Sequence, residues 1–256
     1  MAQHTGLLCL DMDRVLVNHL STWQVVYDAL DTNNDASFAA YNQGLLDEWA
    51  WIKEDLTLIE EAFHTMHGTP ANALHLDTIL ETTPMMDGLD VLIGTALEEG
   101  WAVAIVSGGV HVTAHRIAAR FPSQRAWSRR WGGIEARYAP EGRDTLLHVF
   151  TNGWLSCLGG DENGALRPLG RYQVQMNGKG AVVAMLQRRL GIERERTVSV
   201  GDSAGDIGMF QASGLPICFN PWDERPLAHA NEVITTLDLR EVLKTMAAKG
   251  LRKTLN

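Results

Sequence analysis

Two carboxylates two residues apart close the apolar run "LLCLDMDRVLV": Asp11 and Asp13. Residues i and i+2 of a strand point to the same side, so these like charges crowd one another. An ionised carboxylate withdrawn from water costs several kcal/mol unless something pairs with it. Two readings follow: a strand that has run out into a polar turn, or a site where a cation and a substrate require both groups. Three further segments carry residues of similar use: Ser107, Gly108 and Gly109 in "VSGG", Lys179 in "NGKG", and Asp202 with Asp206 in "GDSAGD". Each alone is an everyday turn, helix start or loop. Carboxylates are hard oxygen ligands for a cation such as Mg²⁺, a serine followed by glycine amides can bind phosphate oxygens, and a lysine can offset the charge of both.

The elements around these segments place all four at one edge. Leu7–Leu10, "WAVAIV", "TVSV" and "LPICF" read as buried strands, separated by helical stretches such as 89–99 and "AVVAMLQRRLG". Strands alternating with helices predict an α/β fold with a Rossmann-like parallel sheet covered on both faces, and ligands of such sheets lie beyond the carboxyl ends of the strands. Residues 18–83 read as helical throughout, with Trp23, Val26, Tyr27 and Leu30 on one face and Ile52, Leu56, Ile59 and Phe63 at helical spacing. They predict a helical cap inserted into a core formed by 1–17 and 84–256. "LLHVFTNGWLSCLGGDENGALRPLGRYQVQM" alternates between turn residues, which predicts a smaller β-hairpin insertion over 146–176.

The 256 residues carry a net charge of −9, which argues against nucleic acid or an anionic membrane as partner. No stretch is long and apolar enough to span a membrane, and "MAQHTG" does not read as a signal peptide. Cys9, Cys157 and Cys218 are odd in number and far apart, as expected of reduced thiols in a cytoplasmic protein. "NGKG" is no P-loop, because Gln173 and Gly180 stand where a glycine and a Ser or Thr are needed. His111 and His115 lack the glutamate of a zincin and are expected on a solvated helix face. The Arg/Trp mixture of "RAWSRRWGGIEAR" reads as a surface loop packing its own tryptophans.

In order, "DMDRV", "VSGG", "NGKG" and "GDSAGD" resemble the four motifs of the haloacid dehalogenase superfamily of phosphatases, and "GDSAGDIGMFQASGL" with the ending "LDLREVLKTM" resembles its phosphoserine phosphatase group. The resemblance extends over nearly the whole chain. It implies a Mg²⁺-dependent phosphomonoester hydrolase acting on a small phosphorylated metabolite. Asp11 would be the nucleophile, Asp13 the acid and base, and Lys179 the neutralising cation. Ser107, Gly108 and Arg14 would contact phosphate, and Asp11, Asp13 (through its main-chain carbonyl), Asp202 and Asp206 would serve the metal. A phosphotransferase or phosphomutase using the same Asp11 is the alternative, and a catalytically silent binding protein a more distant one. Three departures from the family pattern stand out: Arg14 where a small residue is common, Gly205 where the phosphoserine phosphatases have asparagine, and Leu20 where they carry an acidic residue. Asp55 aligns with the arginine that receives the substrate carboxylate, with Lys53 near enough to replace it. Phosphoserine is therefore expected to be a poor substrate, and a sugar or polyol phosphate a better one.

Overall fold

The computed structural model describes residues 4–121, 127–130, 133–138, 145–155 and 169–252. It is an α/β structure around one twisted, mostly parallel sheet. Five strands run parallel in the spatial order β2 (Ala102–Val110), β1 (Leu7–Leu10), β7 (Thr197–Gly201), β8 (Leu215–Phe219) and β9 (Glu232–Ile234). Beyond β2 the sheet continues through β5 (Thr145–Leu155), also parallel, and then the antiparallel strands β4 (Gly133–Tyr138) and β3 (Trp127–Arg130). The four residues of β1 are wholly buried. Their side chains alternate between two cores, Leu8 and Leu10 in one, Leu7 and Cys9 in the other. That is why the strand reads as a continuous apolar run.

Helices α5 (Leu89–Glu98), α6 (His111–Ala119) and α9 (Arg240–Ala248) cover the first of these faces, and α7 (Lys179–Leu190) with α8 (Ile207–Gln211) the second. Between β1 and α5 the chain passes through α1 (Thr22–Ala29), α2 (Asp35–Asn42), α3 (Glu48–His67) and α4 (Ala73–Leu80). Side-chain caps start three of them, from Ser21, Asp47 and Asn72. Val26, Tyr27, Ile52, Ile59, Phe63, Leu76 and Leu80 form a third core that also takes in Val110 of β2 and Trp154 of β5.

Two sequence expectations meet a different arrangement. The stretch 146–176 does not stand apart as a hairpin: β5 lies in the main sheet, in register with β2 from Val103↔Leu147 to Ser107↔Thr151, and only Gly153–Leu155 pair with β6 (Leu169–Arg171). His148 and Thr151 interrupt the apolar run and mimic a half-exposed strand, yet both are completely buried. His111, expected on a solvated face, is 6% exposed, with its ring centroid 5.2 Å from that of His115 and 6.2 Å from that of Trp154. The side chains of the Arg/Trp-rich stretch 123–145 lie outside the described residues, as does Cys157, whereas Cys9 and Cys218 are buried free thiols.

Candidate active site

The carboxyl ends of β1, β2 and β7 and the start of α7 bring the four segments together. Asp11 follows β1 directly, its amide held by the Val200 carbonyl at 2.9 Å. Lys179 opens α7 and is 5% exposed. Its Nζ lies 2.8 Å from Asp11 Oδ1 and 2.6 Å from Asp206 Oδ1. Asp206 Oδ2 accepts hydrogen bonds from the amides of Asp202 (2.8 Å) and Ser203 (3.1 Å), so Asp206 folds its own loop around the cluster. Gly201 makes this possible, since a Cβ there would come within 2.3 Å of the Asp206 carboxyl carbon. Asp11, Asp202 and Asp206 each present an oxygen within 4.8 Å of the others, and all three are buried.

Asp13 sits beside this cluster rather than in it. Its Oδ1 accepts from the Thr22 amide at 3.0 Å, and the Thr22 hydroxyl lies 3.4 Å from its Oδ2. That hydroxyl also accepts from the Val110 amide at 2.8 Å, and the neighbouring Trp23 indole donates to the Gly108 carbonyl at 3.1 Å. The first turn of α1 therefore joins Asp13 to the Ser107 segment. The sequence reading missed both residues. A threonine after a helix-capping serine carries no signal of its own, and the tryptophan reads as core.

Ser107 is 2% exposed, and its hydroxyl accepts from the Gly109 amide at 3.1 Å. Ser107, Gly108 and Gly109 form the irregular end of β2, where the register against β5 shifts, and α6 starts only at His111. Gly109 passes so close to the acidic motif that a Cβ would lie 2.6 Å from Asp13 Oδ2 and 2.7 Å from Thr22 Oγ1.

Arg14 takes a different direction from the phosphate contact expected of it. Its Nε donates to Asp202 Oδ2 at 2.9 Å and its Nη2 to the Asn220 carbonyl at 3.0 Å, with the guanidinium 4.8 Å from the centre of the Trp222 ring. Asp55, expected to repel a substrate carboxylate, is 4% exposed inside the helical insertion, where Ser37 Oγ (2.7 Å) and Asn34 Nδ2 (3.2 Å) donate to it. Leu20 is 47% exposed. Glu48, at the start of α3, reaches the segment leading to Lys179. It accepts from the Met176 amide at 2.8 Å and the Tyr172 hydroxyl at 3.0 Å.

The cluster is short of positive charge. Burial raises the Asp11 carboxyl and Asp206 adds to the rise, against the pull of Lys179. Burial, then the charge of Asp11, pushes Asp13 up to about 7, with the Thr22 hydrogen bonds opposing. Burial, then Asp11 and Asp206, pushes Asp202 up to about 8 despite Lys179 and Arg14. Burial alone would pull the Lys179 ammonium down, but Asp11 and Asp206 outweigh it and hold the group protonated. Four carboxylates face two cationic side chains, which leaves two negative charges when all are ionised. That deficit and the hard-oxygen donor set both fit one divalent cation such as Mg²⁺.

A family model described as haloacid dehalogenase-like hydrolase matches residues 175–244. The phosphoserine phosphatase of Methanocaldococcus jannaschii is 29% identical over 160 residues, 62% of either chain. That of Archaeoglobus fulgidus is 27% identical over 164 residues, 63% of this chain and 39% of the relative. The aligned stretch thus spans less than two thirds of the length of these curated relatives. Among solved structures, a phospho-aspartyl intermediate analogue of phosphoserine phosphatase superposes with a TM-score of 0.65 at 23% identity, covering 95% of this chain and 99% of the other. A substrate-bound phosphoserine phosphatase complex superposes with a TM-score of 0.67 at 21% identity, covering 96% and 99%. At these identities the superpositions speak for the fold.

Proposed function

We propose that the chain is a haloacid dehalogenase-like hydrolase, as its similarity to that family model and to phosphoserine phosphatases supports, and that it hydrolyses a small phosphomonoester with Mg²⁺ through an aspartyl-phosphate on Asp11. The observation that carries this reading is the convergence of Asp11, Asp202 and Asp206, the first and last of them paired with Lys179, in one buried, charge-deficient cluster beside Asp13 and Ser107. An Asp11 oxygen bonds to phosphorus while the ester oxygen leaves and takes a proton from Asp13. Asp13 then accepts a proton from water as that water attacks phosphorus, which frees phosphate and restores Asp11. A carboxyl pushed up to about 7 can serve as acid and as base near neutrality. Lys179 offsets the charge of nucleophile and phosphoryl group, and Ser107 with the amides beside it receives the phosphoryl oxygens. Asp11, Asp202 and the main-chain carbonyl of Asp13 would hold Mg²⁺, with Asp206 behind them. The bound ion supplies positive charge for the phosphoryl oxygens.

The substrate we infer is a neutral one, such as a sugar or polyol phosphate, rather than phosphoserine. Leu20 cannot pair with an ammonium. Residues 18–83 hold no arginine and one lysine, Lys53, among eleven acidic residues, so a substrate carboxylate meets little positive charge there. Leaving both charges of phosphoserine unpaired in a closed site costs orders of magnitude in selectivity. Among the described residues no helix is long and apolar enough to cross a membrane. The buried free thiols of Cys9 and Cys218 support a reducing, cytoplasmic setting.

Phosphate release from a panel of phosphorylated metabolites, with Mg²⁺ and with chelator, tests this reading. Metal-dependent release that Asp11→Asn abolishes is expected. Full activity in chelator, or selective turnover of phosphoserine, would overturn the corresponding part. Phosphate passed to a second hydroxyl instead of water would make the enzyme a transferase.

A further inference from the structure

Arg14 is held more tightly than a surface cation needs to be. Its backbone adopts φ 63°, in the left-handed region that side chains other than glycine enter only at a cost, and its amide is tied to the His19 carbonyl at 3.2 Å. Three groups then fix the guanidinium: Asp202 Oδ2, the carbonyl of Asn220, and the face of Trp222. Asn220 is itself left-handed at φ 46°, and the Trp222 amide returns to the Asp202 carbonyl at 2.9 Å. The result is a closed ring, Arg14–Asp202–Trp222–Arg14, against the acidic cluster. The side chain of Asp202 is only 5% exposed, and that of Arg14 21%.

We propose that Arg14 is a positioning residue for the divalent-cation site: it occupies Asp202 Oδ2 as a built-in counter-charge, leaves Oδ1 as the one oxygen free to coordinate, and weakens cation binding. This rests on the reading that Asp11 and Asp202 hold the ion. A carboxylate with one oxygen in a charge-assisted hydrogen bond is a poorer bidentate ligand, and a fixed positive charge beside the site repels a second one. Mg²⁺ tolerates the loss of bidentate coordination, because it binds through one or two carboxylates plus water and substrate oxygens. A lysine would keep the charge but could not reach Asp202 and Asn220 together while lying flat on Trp222.

The test is Mn²⁺ binding to the full chain after treatment with chelator, with free ion counted by electron paramagnetic resonance, for the wild type, Arg14→Gln, Arg14→Ala and Arg14→Lys. Arg14→Gln and Arg14→Ala should bind on the order of tenfold more tightly than the wild type, and Arg14→Lys within about threefold of it. The rise in melting temperature on adding Mg²⁺ should be larger for Arg14→Gln than for the wild type. Arg14→Gln keeps the side chain as far as the nitrogen that meets Asp202, without the charge, so it carries the test should Arg14→Ala fail to fold. Unchanged or weaker binding by Arg14→Gln, an equal gain in Arg14→Lys, or no Mn²⁺ bound by the wild type would each overturn the inference. Binding that follows the expected order in a protein that hydrolyses no phosphate ester would leave this inference standing and remove the hydrolase reading instead.

Discussion

Replacing Lys179 by methionine asks how far one buried ammonium holds the acidic cluster together. Methionine keeps most of the apolar stem and removes the charge. In the wild type that charge lies 2.8 Å from Asp11 and 2.6 Å from Asp206. Removing one partner of a buried ion pair costs about 3–5 kcal/mol, and here two carboxylates lose the same partner, so the upper end of that range applies. Against a total stability of about 5–15 kcal/mol, the variant should be marginal near neutral pH in chelator, its urea midpoint lower by about 1–2 M. The deficit depends on pH with a definite sign. A carboxyl whose folded value lies above its unfolded one near 3.8 binds more protons when folded. Its contribution is full below the unfolded value and lost as pH rises through the folded one. Without Lys179, which opposes the rise, the folded value of Asp11 goes up further, so the variant recovers stability on acidification that the wild type has less need of. Denaturation in urea at about pH 5 and about pH 8 measures this, and the gap between the two proteins should narrow at the lower pH. Adding Mg²⁺ should narrow it as well. A deficit below about 1 kcal/mol, or one that stays constant over that range, would refute the reasoning.

Asp13→Asn should lower turnover by about 10²–10⁴-fold while leaving Mn²⁺ affinity within a few-fold; loss of binding would make its side chain a ligand. Thr22→Val deprives the Val110 amide of its acceptor and Asp13 of a hydroxyl, so kcat should fall on the order of a hundredfold through misplacement of the acid. Thr22→Ser should restore most of it, and equal losses in both variants would remove the positioning role. Glu48→Ala breaks the link between α3 and the segment before Lys179. It should raise KM for a metabolite-sized substrate several-fold more than for a small artificial ester, as seen by steady-state kinetics on both.

Asp11, Ser107 and Asp202 were legible because each ends or follows an apolar run, and Lys179 only through the motif it completes. Asp11 after "LLCL" and Asp202 after "TVSVG" are polar groups where a buried strand stops, and their neighbourhood follows from a parallel sheet alone. The destinations of side chains were less so. Arg14 finds Asn220 and Trp222 some two hundred residues downstream, and no local pattern couples them. Asp55 looked like a charge facing substrate because its partners, Ser37 of α2 and Asn34 just before it, lie some twenty residues upstream. β5 was misjudged for a chemical reason: buried His148 and Thr151 sit where a strand covered on both faces is usually apolar.

The third hydrophobic core bears on how the protein moves and melts. Residues of α1, α3 and α4 close it, but Val110 and Trp154, both fully buried, come from the strands beneath, and the Trp154 indole donates to Asp77 of α4 at 2.8 Å. The helical insertion is thus a roof whose ceiling beams rest on, and are partly made from, the walls. Lifting it as a rigid body would bare an indole and strip the insertion of part of its own interior. Opening is then favoured as a tilt that keeps the helices seated on Trp154. For the same reason the insertion has no complete core of its own when excised, and insertion and sheet should unfold as one cooperative unit.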